Sequence, residues 1–123
     1  NKYRLVSGNT GTGVYKNDGP YDIYIDIKNV SDLYNVSISQ NSITIGCQVT
    51  LKKLIDIFNS NLNVQGFDYL PTLAKHISKI ANTGVRNLCT WAGNLGLKHG
   101  HLEFPSDIFL CFDNGRIWTL FNA

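Results

Sequence analysis

The chain has 123 residues, 43% of them hydrophobic, and a net charge of +2. That composition supports one core; the scattered Lys and Arg, with no run longer than Lys52-Lys53, leave no electrostatic footprint for nucleic acid, and no apolar run is long enough to span a membrane. Cys47, Cys89 and Cys111 form no Cys-x-x-Cys pair, which leaves a disulfide framework, a zinc site and an iron–sulfur ligand set without support and reads as reduced thiols in a cytoplasmic protein.

The chain lacks methionine, and strand patterns stand at both ends. Residues 1–123 therefore read as one unit inside a longer polypeptide. Lys2 to Val6 begins a strand that tips into Ser7-Gly8-Asn9-Thr10-Gly11-Thr12-Gly13, a loop with three glycines within six positions. Glycine lets several backbone N–H groups turn inward around an anion, and a phosphate is the natural guest. The spacing matches neither a Walker loop nor a G-x-G-x-x-G dinucleotide loop. An ordinary glycine-rich turn fits the composition as well.

Asn17-Asp18-Gly19-Pro20 breaks the chain before Tyr21 to Ile27, where Tyr21, Ile23, Ile25 and Ile27 alternate with Asp22, Tyr24 and Asp26. This pattern predicts a half-buried strand. Tyr34 to Ser39 and Ser42 to Gly46 read as a hairpin joined at Gln40-Asn41, with Ile43 and Ile45 inward. Thr50 is a helix cap ahead of Leu51, Leu54, Ile55 and Phe58, and that helix should run to about Asn61. A second helix is expected from Leu70-Pro71, carrying Leu73, Ile77, Ile80 and Ala81 on one face and stopping at Asn82-Thr83-Gly84, with Gly84 in the left-handed cap.

From Val85 to Thr90 the chain reads as extended, and from Trp91 through His101 as loop. His76 reads as a half-exposed helix side chain, and His99 with His101 has no acidic or cysteine partner at metal-ligand spacing. Pro105-Ser106-Asp107 opens a short helix to Phe112, and Asn114-Gly115 turns into a last strand, Arg116 to Phe121. Hairpins followed by helices predict an α+β fold, a mainly antiparallel sheet with flanking helices.

Three stretches together resemble the FAD-binding domain of the xanthine dehydrogenase and aldehyde oxidase family. They are Leu5 to Gly13 with its Gly8-Asn9-Thr10, Val85 to Leu95 with its Ala92-Gly93-Asn94, and Ser106-Asp107. The resemblance implies the larger subdomain of a PCMH-type flavin domain. It assigns the FAD pyrophosphate to Leu5, Val6, Ser7, Gly8, Asn9, Thr10, Gly11 and Thr12. It places Thr90 and Asn94 against the flavin or its sugar chain, lets the backbone approach at Gly93, sets Ile80 at an apolar contact and Asp107 as a carboxylate near the cofactor. No catalytic base is implied. Molybdopterin and iron–sulfur clusters would lie elsewhere in a homodimeric parent protein, whose other domains are this unit's partners. Gly11 stands where the family often has an acidic residue, and the stretch holding His99, His101 and Glu103 resembles the aldehyde oxidase branch. The alternative is an interaction module that keeps the architecture without FAD, using aromatics such as Tyr24 and Trp118.

Overall fold

The computed structural model describes residues 1–60 and 65–112. Its elements run β1 (Tyr3–Val6), β2 (Ile23–Asp26), a 3-10 turn (Ser31–Tyr34), β3 (Val36–Ile38), β4 (Ile43–Ile45), α1 (Leu51–Asn59), α2 (Leu70–Ile77), α3 (Thr83–Leu88), α4 (Trp91–Gly100) and α5 (Asp107–Cys111). The α+β class stands. The mainly antiparallel sheet does not hold among the described residues: β1 and β2 pair in parallel, Tyr3 opposite Ile23 and Val6 opposite Asp26, while β3 and β4 form a separate antiparallel pair. The physical reason lies in the connection. Residues 7–22 are long enough for a crossover, which parallel pairing requires and a hairpin does not.

The hairpin itself is as read. Ser39 N–H donates to the Ser42 carbonyl at 2.9 Å across Gln40-Asn41, and Ile43 and Ile45 pack against the core. That core is helical: Leu51, Leu54, Ile57 and Phe58 of α1 meet Leu70, Ala74 and Ile77 of α2, with Val49 and Ile108 closing it. Removing such side chains from water supplies the main stabilisation, about 1.5–3 kcal/mol for each large one. The β1/β2 pair contributes little to it. Tyr3, Leu5, Ile23 and Ile25, which the register places on one side, are all exposed, so the strand expected to be half-buried is open along its length.

Helix ends account for the other departures. Thr50 caps α1 by accepting from Lys53 N–H at 3.2 Å, and α1 ends at Asn59, just short of the expected Asn61. α2 ends at Ile77, and the left-handed residue that follows is Ala81, φ 48°, not Gly84. Gly84 instead lies inside α3, which Asn82 starts by accepting from Val85 N–H at 2.9 Å. The stretch read as extended is therefore helical through Leu88, with Cys89 and Thr90 extended as expected. The stretch read as loop is helical too: α4 begins at Trp91 because Thr90 Oγ1 accepts from Gly93 N–H at 3.0 Å. A side-chain cap outweighs the poor helix propensity of glycine at positions 93 and 96. The last strand and its Asn114-Gly115 turn fall outside the described residues.

Candidate functional site

The glycine loop begins where β1 stops. Ser7 turns its hydroxyl to the amide oxygen of Gln48. At Gly8 the backbone lies against the end of α3, and a Cβ there would stand 1.9 Å from the Leu88 carbonyl oxygen. Only glycine permits that approach. Asn9 takes the left-handed conformation, φ 56°, and its side-chain oxygen accepts from the Thr12 hydroxyl. The Cys89 thiol donates to the Thr90 carbonyl at 3.5 Å, and burial pushes its pKa up, partly offset by the nearby Thr10. A Cβ on Gly11 would meet the Leu97 side chain at an ordinary contact distance, 3.6 Å.

These packing contacts consume side chains and leave backbone. Among the described residues, the N–H groups of Gly8, Asn9, Thr10 and Gly11 donate to no carbonyl or side chain. Four successive free donors about a left-handed residue are the donor set an anionic diphosphate needs. Such donors suit an anionic group held through main chain. The hydroxyl of Ser7 is turned to Gln48.

The second stretch folds under this loop. An isolated bridge pairs Thr50 with Thr90; Leu51 N–H donates to the Cys89 carbonyl at 2.8 Å and Trp91 N–H to the Val49 carbonyl at 3.2 Å. Two helices, α1 and α4, therefore start side by side. A Cβ on Gly93 would come within 2.8 Å of Thr90 Oγ1, so the glycine allows the cap to close. Asn94 is buried and accepts from Ser106 Oγ at 2.5 Å. Ser106 Oγ in turn accepts from Phe109 N–H at 3.0 Å, capping α5. Asp107 opens α5 and lies 3.2 Å from Nε2 of His76 on α2.

The structure thus brings Gly8, Thr10 and Gly11 onto residues 88–97 and joins Asn94 to the Ser106-Asp107 turn. Ile80 is partly buried against the core, and its carbonyl accepts from Arg86 Nη1 at 2.7 Å. Leu5 is exposed on the strand face and Val6 is half-buried. Sequence reasoning missed Gln48, the Leu88 carbonyl and the His76 contact. Gln48 gave no signal, being a single polar residue between Cys47 and Val49.

The crossover between β1 and β2 has its own charged anchor. Asp18 is ion-paired with Arg4 and accepts from the Tyr21 hydroxyl at 2.5 Å. The Tyr21 hydrogen bond, reinforced by Arg4, holds the Asp18 carboxyl below its usual range, and the same bond raises Tyr21. Tyr15 stacks on His101 with ring centroids 3.9 Å apart. A hollow of about 290 Å³ lies here, lined by Lys2, Asn17, Asp18, Tyr21 and His101 among others. It holds none of the residues assigned to the cofactor. Among the described residues no cluster of His, Cys, Asp and Glu is arranged to hold a metal ion.

Comparison with known proteins places the chain in a family. Residues 1–112 match the family model described as the FAD binding domain in molybdopterin dehydrogenase. The chain is 37% identical over 107 residues to probable aldehyde oxidase 1 of Oryza sativa subsp. japonica, covering 85% of this chain and 8% of the relative. It is 35% identical over 105 residues to abscisic-aldehyde oxidase of Arabidopsis thaliana, again 85% of the chain and 8% of the relative. An indole-3-acetaldehyde oxidase of Zea mays is 35% identical over 108 residues, 88% of the chain and 8% of the relative. The chain therefore spans less than a tenth of these relatives' length. With its glycine loop, its second stretch and nearly its whole length inside the match, the chain belongs to the family of FAD binding domains of molybdopterin dehydrogenases.

Proposed function

We propose that this chain forms part of the FAD site of a larger aldehyde oxidase-like oxidoreductase. In such an enzyme FAD would receive, by way of iron–sulfur clusters, the electrons released when substrate is oxidised at a molybdenum centre, and oxygen or NAD would be the acceptor. The observation that carries the reading is the run of free N–H groups from Gly8 to Gly11, docked on residues 88–97. Those donors would hold the diphosphate. Asn94 and Thr90, both buried at the start of α4, fix the wall on which the loop rests, and Asp107 at the α5 turn offers a carboxylate to the cofactor's hydroxyls. Bound FAD supplies the redox chemistry; the chain supplies anchoring and position. Its unpaired cysteines fit a reducing, cytoplasmic compartment.

The test is titration of FAD into the flavin-free form of the longer protein and into this chain, followed by calorimetry. Binding by both places the anchor within these residues, and binding by the longer protein alone means that other segments complete the site. Binding by neither overturns the reading and favours the interaction module.

A further inference from the structure

Gln48 is the one large polar side chain among the fully buried residues described, 1% exposed. It lies between β4 and α1, outside every stretch that resembles a flavin loop. Burying an amide is costly unless its donors and acceptor are satisfied, so its partners indicate what the burial achieves. Gln48 Nε2 donates to the Ile27 carbonyl at 2.5 Å, and its Oε1 accepts from Ser7 Oγ. The orientation of the amide is fixed by chemistry: a carbonyl can only accept, so the NH₂ must face Ile27, which leaves the oxygen to the hydroxyl. The main chain of Gln48 is also held, its N–H donating to the Leu33 carbonyl at 2.9 Å.

Ser7 is the first residue after β1 and Ile27 the first after β2. These strands run parallel, and Ile27 N–H already donates to the Val6 carbonyl at 3.0 Å. The Gln48 amide therefore spans the ends of both strands at the point where the glycine loop departs. We propose that Gln48 is a positioning residue for the cofactor: acting through Ser7, it fixes the angle at which the chain leaves β1 and so presents the free N–H groups of Gly8 to Gly11 to a diphosphate. This rests on the FAD-binding reading above.

The test is a double-mutant cycle on FAD affinity in the flavin-free longer protein, using Gln48→Met, Ser7→Ala and the pair, with Ser7→Thr as the conservative variant. Each of the first two should weaken FAD binding roughly tenfold, the pair should be little worse than Gln48→Met alone, and Ser7→Thr should keep wild-type affinity. A residue that merely filled space would give neither the coupling nor the rescue. Wild-type affinity in folded Gln48→Met and Ser7→Ala, or fully additive losses, would overturn the proposal while leaving the FAD site intact. Should Gln48→Met fail to fold, Gln48→Asn, too short to span both strand ends, takes its place in the same cycle, because coupling to position 48 separates positioning through Ser7 from a direct contact of Ser7 with the diphosphate. A wild-type protein that takes up no FAD would overturn both readings.

Discussion

Gly8 and Gly11 stand three residues apart in one loop and answer to different constraints. A Cβ added at Gly8 would stand 1.9 Å from the Leu88 carbonyl oxygen, whereas one at Gly11 would find its nearest neighbour, the end of the Leu97 side chain, at 3.6 Å. Gly8→Ala should therefore lower stability by about 1–3 kcal/mol through overpacking, and Gly11→Ala should leave the melting temperature near wild type. Differential scanning calorimetry checks both, and equal effects at the two positions would contradict the close approach. Substitution of Gly8 is thus a poor probe of binding alone, because it strikes packing and loop together. Asn94 combines the two roles in another way. Its side-chain oxygen satisfies Ser106 in a buried site, so Asn94→Ala should cost about 1–3 kcal/mol and weaken FAD binding by displacing α5. Chemical denaturation beside FAD titration measures both losses. The sequence marked Gly8 and Asn94 as special, but their partners, Leu88 and Ser106, became visible only once the chain was folded.

At the level of elements, side-chain caps decide what propensity leaves open. α4 carries glycines at 93, 96 and 100 and yet is helical from its capping Thr90 onward. Thr90→Ala should destabilise the domain by about 1 kcal/mol, with Thr90→Ser close to wild type; equal stability of all three proteins would mean that α4 is held by packing alone. The apolar period of α1, the proline-led start of α2 and the β3/β4 hairpin were legible because each is a local pattern. α3 and α4 were not: Asn82 and Thr90 resemble turn residues in a string of letters, and their capping role depends on where the backbone has already been turned. Parallel pairing of β1 with β2 was equally hidden. It follows from a crossover anchored by Arg4 and Asp18, an interaction between residues that no periodicity links.

Across the whole molecule, the helical core and the β1/β2 pair are stabilised by different physics. The core rests on apolar burial, which is indifferent to pH. The crossover rests on Asp18, whose carboxyl is lowered by Tyr21 and Arg4. A carboxyl lowered in the folded state adds stability that is fully present above its unfolded value and is lost as pH falls through its folded one. Acidification below the usual carboxylate range should thus loosen residues 14–21 ahead of the core, and Asp18→Asn should remove that pH dependence. Hydrogen exchange of those amides against pH is the measurement; uniform loosening of loop and core would contradict it. The seat of Gly8 on Leu88 also has a kinetic meaning. α1 and α2 meet through near neighbours in sequence, the Thr50–Thr90 bridge closes a longer loop, and the contact between residues 8 and 88 closes one longer still, each step carrying a larger entropic cost. The glycine loop should dock after the folding barrier has been crossed, so that Gly8→Ala speeds unfolding and leaves the folding rate almost untouched. The loop that would anchor the cofactor is then also the first to detach, and cofactor held there would act as a brake on the earliest step of unfolding.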